Sequence, residues 1–209
     1  MALGQPDIEY PWKWSIYKWL KGESALYGQI NNLEKFAQDL AIFINTFQQI
    51  DTTGGPLPGA QNFYRGGSLL NYDGETRKAI SLLAGNIDHK VVLDLWNKAI
   101  NIKYISRPVW VHGDISLGNL LVSDGNLSAI IDFGQLAVGD PACDLTIAWT
   151  SFHGKSRDMF IQSILVDKDT WVRAQAWGLW KALIIAAGIS EANTFEKKNS
   201  FRVIREILG

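Results

Sequence analysis

The sequence predicts a mainly helical α+β fold in which a small β-hairpin carries one polar loop. Three observations point there. Leu26, Ile30, Leu33, Ala37, Leu40, Ile44 and Phe47 recur at helical spacing near the start of the chain. Between Val109 and Phe133, short apolar runs end in isolated polar residues, and Asp124-Gly125 offers a two-residue turn between two of them. From Pro141 onward, helical patterns follow one another to Leu208.

Taken in order, residues 1–9 are polar and aperiodic, which predicts a loosely held end. Ser15 to Leu20 mixes Ile, Tyr and Trp and reads as a strand, broken by Gly22-Glu23-Ser24. A long amphipathic helix is expected over 25–49, with Asn31, Glu34, Lys35, Gln38 and Asp39 on its polar side. Gly54-Gly55, Pro56, Pro58, Gly59 and Gly66-Gly67 make 51–67 a loop, and loops of this length in compact domains are often functional. Helices are predicted at 73–83 and 90–102, with Asp73 or Asp88 as caps. Short strands follow at 109–111, 120–122 and 128–131. Asp140 and Pro141 open a helix over 141–152, and further helices are expected at 157–166, 168–187 and 190–208.

Composition excludes several classes of protein. The chain has 209 residues, 47% apolar and 20% charged, enough to bury a sizeable core in one domain. Net charge is −1 with both signs interspersed, so nothing favours a nucleic acid or an anionic membrane as partner. Cys143 is the single cysteine, which precludes an intrachain disulfide and fits a reducing, cytoplasmic setting. No apolar stretch approaches a membrane span, and Asp7 and Glu9 precede any apolar run, unlike a secretory signal. Most of the nine tryptophans fall within apolar patterns and are expected in the core.

The chemistry sits at the ends of the predicted strands. Asp114 is followed five positions later by Asn119, and Asp132 lies just past the hairpin. Phosphoryl transfer needs mostly positioning and charge neutralisation, and these three can provide both. Asp114 is placed to accept the proton of an attacking hydroxyl, and Asn119 and Asp132 offer hard oxygen ligands to Mg²⁺. Singly, each would read as a turn residue beside Gly. Together and in order they resemble the protein-kinase pattern H-R-D-x-x-x-x-N followed by D-F-G, departing only at Gly113. Two other readings of nearby residues fail. His112 and Asp114 have no further His to complete a zinc site. Gly154-Lys155-Ser156 has Trp149 where a phosphate-binding loop needs Gly. Metal-dependent hydrolysis of a phosphoester by the same two carboxylates stays as a third, less favoured reading, since no second set of acidic or His ligands accompanies them. His89 and His153 stand alone.

His112-Gly113-Asp114, Asn119, Ile131-Asp132-Phe133-Gly134 and Gly139-Asp140-Pro141-Ala142-Cys143-Asp144-Leu145 closely resemble the aminoglycoside phosphotransferase family of small-molecule kinases. The resemblance extends to the Tyr10 to Glu23 stretch, similar to the family's strand and hinge between lobes, and to Trp177 to Leu183, similar to its C-terminal helix. It implies the C-terminal lobe of a protein-kinase-like fold, with 1–22 as N-terminal tail and hinge strand, 23–209 as helical lobe, and the catalytic and metal-binding segment at 109–134. It implies ATP and Mg²⁺ as cofactors and the hydroxyl of an aminoglycoside-type or related small molecule as acceptor. By resemblance, the backbone of Lys18, Trp19 and Leu20 would meet the adenine edge. His112 would pack inward as structural support, and Asp144 would brace the loop by accepting backbone N–H bonds.

Two departures temper this expectation. Ser116 stands where related loops often carry a basic or imidazole side chain. The family's Gly-rich phosphate clamp and Lys–Glu pair, which belong to an N-terminal lobe, have no counterpart in the sequence, so nucleotide binding and transfer by this chain alone are expected to be weak unless that lobe comes from elsewhere. The alternative is a noncatalytic, kinase-like remnant or protein-binding module, which an exposed apolar patch at Trp12, Trp14, Tyr17 and Trp19 would favour.

Overall fold

A computed structural model describes residues 1–209. Two short strands open the chain: β1 (Ala2–Gly4) and β2 (Trp14–Ile16), paired antiparallel with Ala2 opposite Ile16. The first residues are therefore partly ordered by pairing, and the strand expected to run to Leu20 stops four residues earlier. A two-residue strand, β3 (Glu23–Ser24), follows.

Helix α1 (Leu33–Phe47) begins eight residues later than its periodicity suggests. Asn32 is the reason: its backbone is extended, and its side chain accepts the N–H of Lys35 at 2.9 Å, a cap that competes with continuation of the helix toward the N-terminus. Residues 25–31 instead turn back, with Tyr27 N and Gly28 N donating to Ser24 O. The buried face of α1 is Phe36, Ala37, Leu40, Ala41 and Ile44. The 51–67 segment is a loop, as expected, and a well-anchored one. Asn62 is buried; its Nδ2 donates to Leu57 O and Leu136 O, and its Oδ1 accepts the N–H of Gly59.

Helices α2 (Asp73–Leu82) and α3 (His89–Asn101) come next. Asp88 caps α3 by accepting the N–H of Val91. Asp73 is not a cap; its carboxylate accepts from Arg77 Nε and from Trp96 Nε1, tying α2 to α3. Strand β4 (Val109–Val111) follows, then the hairpin of β5 (Leu120–Ser123) and β6 (Asn126–Ile130). Asp124 and Gly125 have φ of 51° and 76°, the left-handed pair that a two-residue hairpin turn requires. Strand β3 joins the outer side of β5, with Glu23 opposite Val122.

Strand β7 (Ala137–Gly139) has no signature in the sequence, because three buried residues are too few to show alternation. It pairs antiparallel with β4, Val111 opposite Ala137. Its far edge is covered by the 51–67 loop: Val138 N donates to Pro56 O and Asp140 N to Gly66 O, both at 2.8 Å.

The helix expected over 141–152 is instead a 3₁₀ run, Pro141–Thr146, capped by Asp140 and passing into one α-turn, α4 (Ile147–Thr150). Asp140 and Asp144 are both bonded to other elements, and the winding follows those anchors rather than α propensity. Then come α5 (Gly154–Ser163), α6 (Lys168–Ala186) and α7 (Thr194–Leu208). Ser156 closes a capping box with His153 and starts α5 three residues early; Asn193 and Glu196 close another and start α7 four residues late.

Helix α6 is apolar almost all round because it is central, with α7, α2, α3 and the 3₁₀ run packed about it. No helix is long and apolar enough to cross a membrane. Six tryptophans are buried or half-buried, Trp96 and Trp177 most completely, whereas Trp12, Trp14 and Trp19 are 67%, 43% and 87% exposed. The expectation that most tryptophans lie in the core thus holds, and the three exposed ones all fall in the N-terminal stretch.

Candidate active site

Strand β4 delivers the chain to His112, which is fully buried. Its ring Nε2 lies 2.9 Å from Ile131 O, and its Nδ1 accepts the N–H of Asp114, so the bonds assign the proton to Nε2. Phe133 packs beside the ring, with centroids 4.6 Å apart. The neighbouring backbone is held from the other side: His112 N and Gly113 N donate to the two carboxylate oxygens of Asp144, each at 2.7 Å. Burial pushes the Asp144 carboxyl above its usual range; His112 and the two N–H groups pull the other way.

Gly113 explains the departure from the protein-kinase pattern. Its φ is +84°, and a Cβ there would stand 2.5 Å from Gln135 O. Gly113→Ala is expected to destabilise the fold by about 2–3 kcal/mol and to shift the loop, because a left-handed strain adds to a backbone clash. Thermal unfolding of the variant checks this.

Beyond Gly113 the polar residues meet. Asn119 Nδ2 donates to both the backbone O and the Oδ2 of Asp114, at 2.9 Å each, and Asn119 O accepts the N–H of Ile131. The half-buried Asp114, the amide of Asn119 and the start of the Asp132 segment are thereby locked together across the hairpin. Asp132 has a left-handed backbone, φ 64°, and its exposed carboxylate makes only a 3.4 Å contact with Gly134 N. The Oδ1 of Asn119 and the carboxylate of Asp132 remain as hard oxygen donors. Two such donors suit Mg²⁺, which usually takes one or two protein ligands and completes its shell with phosphate and water. No group of three or more His, Cys, Asp or Glu side chains gathers anywhere in the chain.

Lys18, Trp19 and Leu20 follow β2 and lie exposed. Their backbone groups make no hydrogen bond, and Trp19 is 87% exposed.

Asp114 opens on a cavity of about 160 Å³ between the 113–118 loop and the faces of α6 and α7. Several of its residues carried no sequence signal as site residues. Arg65, from the long loop, donates through Nε to Gln135 Oε1, and its guanidinium lies 5.4 Å from the Trp177 ring and 5.3 Å from the Trp180 ring. Lys181 and Glu196 reach the same space from α6 and α7. The loop's length was the only available hint, since helical spacing marks Trp177 and Trp180 simply as core.

Asp114, Asn119 and Asp132 thus stand around one hairpin set against the helical part of the chain. The sequence profile of the phosphotransferase enzyme family, APH, matches residues 1–177, and the chain belongs to that family. A curated relative, the aminoglycoside 3'-phosphotransferase of Acinetobacter baumannii, is 32% identical over 59 residues, a match covering 28% of this chain and 23% of that protein's length. Solved structures share the fold at lower identity. The GDP and kanamycin complex of APH(2'')-IIia aligns with a TM-score of 0.63 at 15% identity, covering 98% of this chain and 73% of that one. The streptomycin–ATP–APH(2'')-IIa ternary complex gives 0.53 at 17%, over 90% and 68%. Macrolide 2'-phosphotransferase type I gives 0.55 at 14%, over 88% and 66%.

Proposed function

We propose that this chain serves transfer of the terminal phosphoryl group of a nucleoside triphosphate to a hydroxyl of a small molecule. The observation that carries the reading is Asp114, bonded to Asn119 across the hairpin that leads to Asp132 and opening on a cavity. Asp114 Oδ accepts the proton of the acceptor hydroxyl, whose oxygen bonds to the γ-phosphorus as the bond to the β-bridging oxygen breaks and the diphosphate leaves. Asn119 fixes the Asp114 carboxylate by its Nδ2 bond; its Oδ1 and the Asp132 carboxylate would be the protein ligands of Mg²⁺. Mg²⁺ held there would neutralise phosphate charge. His112 and Asp144 hold the loop by the bonds described above and touch no substrate.

In this reading, residues 1–22 are tail and hinge strand and 23–209 the helical lobe, with Lys18, Trp19 and Leu20 offering free backbone groups to the purine edge. The family relatives are named for aminoglycosides and macrolides, and an antibiotic-like or metabolite alcohol is the acceptor class that follows. Cytoplasmic location fits the lone, buried Cys143.

The exposure of Lys18 to Leu20 leaves the nucleotide base little cover, and binding by this chain alone is expected to be weak, about millimolar. The test is calorimetric titration of Mg²⁺-ATP and Mg²⁺-GTP into the chain and into Asp132→Ala. Weak binding that disappears with chelator and in the variant supports the reading. Binding indifferent to both would remove the metal assignment. A second reading, a noncatalytic protein-binding module, is favoured by the exposed Trp12, Trp14, Tyr17 and Trp19; it predicts no transfer to any alcohol under conditions where nucleotide binds.

A further inference from the structure

The cavity beside Asp114 has a charge character that selects among acceptors. Apart from Asp114 itself, three ionisable groups carrying full charge line it: Arg65, Lys181 and Glu196. Glu196 is bonded through one of its two carboxylate oxygens. Its Oε2 accepts the N–H of Asn193 in the α7 capping box. The amide oxygens in the wall are similarly engaged, Asn193 Oδ1 by Glu196 N and Asn199 Oδ1 by Arg202 Nε.

The donors are in the opposite state. Lys181 is half-buried and has neither an ion-pair nor a hydrogen-bond partner. Arg65 keeps the remainder of its fork free beyond the single Nε bond to Gln135. Trp177, 1% exposed, has an indole N–H without any acceptor. The rest of the wall is largely apolar and aromatic, with Trp180, Phe195, Ile185 and Val203 prominent.

A polyamino sugar needs the reverse of this lining: several free acceptors, preferably carboxylates, for its ammonium groups. Each ammonium brought into a wall carrying two cations would find as carboxylate partners only Glu196, already bonded through one oxygen, and Asp114, which the transfer reading reserves for the hydroxyl. An anionic oxygen meets Lys181 and Arg65 directly, and an apolar ring meets the tryptophans. We propose that the acceptor of this chain is an alcohol with an apolar or aromatic body and an anionic group, a carboxylate or phosphate, held by Lys181 and Arg65, and not a polycationic aminoglycoside. The proposal rests on the phosphotransferase reading for the role of the hydroxyl, but its charge preference is a property of the cavity and is measurable without turnover.

Trp177 and Trp180 line the cavity and supply an intrinsic fluorescence signal. The experiment titrates the chain, without nucleotide, with 4-(hydroxymethyl)benzoate, its phosphate-bearing analogue 4-(hydroxymethyl)phenyl phosphate, the neutral methyl ester of the benzoate, and kanamycin. It is repeated with Lys181→Gln and Lys181→Glu, substitutions at a half-exposed position on α6 that keep helix propensity. The expected order is anionic alcohols, then ester, then kanamycin, with the anions about fivefold tighter than the ester. Lys181→Gln should erase that advantage and Lys181→Glu reverse it. The carboxylate and phosphate arms distinguish which anionic group is preferred. Kanamycin binding more tightly than either anion, an order insensitive to Lys181, or no signal from any anion would overturn the proposal. The phosphotransferase reading fails separately, if no alcohol of any charge receives a phosphoryl group in the presence of Mg²⁺-nucleotide.

Discussion

Replacing Asp114 with Asn is expected to lower phosphoryl transfer by about 10²–10⁴-fold while leaving stability within about 1 kcal/mol of the parent. The two halves of this expectation have separate physical grounds. An amide cannot take the hydroxyl proton, so the loss falls on the chemical step. The amide oxygen of an Asn at this position can still accept from Asn119 Nδ2, which is the bond that orders the loop. Single-turnover transfer measured with saturating acceptor, alongside thermal unfolding, separates the two. Equal transfer in variant and parent would remove Asp114 from its role. A stability loss as large as the loss of rate would instead make it a structural residue.

Arg173→Met is expected to destabilise the chain by about 3–5 kcal/mol, and the double change Arg173→Met with Asp140→Leu by clearly less. Arg173 is 4% and Asp140 5% exposed. Arg173 Nε and a terminal nitrogen bond the two Asp140 oxygens at 2.6 and 3.3 Å, with Thr170 and the face of Tyr104 completing the surroundings of the guanidinium. Removing only the cation strands a buried carboxylate; removing both leaves an apolar contact. The difference depends on pH. Burial already raises the Asp140 carboxyl above its usual value, with Arg173 opposing. Loss of Arg173 raises it further. A folded-state value above the unfolded one means stability is greatest below the unfolded value, about pH 4, and is lost as pH rises through the folded value. The Arg173→Met deficit should therefore shrink on acidification. Chemical denaturation at pH 4 and pH 7 reads this directly, and an equal deficit at both would exclude a stranded carboxylate as its source.

How much of this was legible in the sequence depends on the range of the interactions involved. The hairpin around Asp124-Gly125 is a local structure with local turn chemistry, and it stands where the sequence put it. The helical periods survived as well, but their starts moved wherever a side chain made a competing local bond, as Asn32, Ser156 and Asn193 do. Strand β7 and the 3₁₀ run after it were not legible, since both owe their form to partners far away, β4 and the Pro56–Gly66 loop for one, the His112–Gly113 backbone for the other. The polar trio was readable from spacing because Asp114, Asn119 and Asp132 are tied to one hairpin. The far wall of the cavity was not. Arg65, Lys181 and Glu196 come from three elements spread along most of the chain, and only packing brings them together.

The same distribution of contacts orders the events of folding. Ser24 Oγ reaches Leu117 O across 93 positions, Asp144 reaches back 32 to His112, and the Arg173–Asp140 pair spans 33. Helices α1, α3 and α6 can begin from neighbours alone, whereas each of these links must close a long chain segment before any stabilisation is returned. The helical layer is therefore expected to assemble ahead of the site, with the loop bearing Asp114 acquiring its shape among the last parts of the molecule. A compound bridging the hairpin and α6 binds only the finished state, so it draws the late step to completion by mass action and shields the protein from proteolysis in proportion to its occupancy.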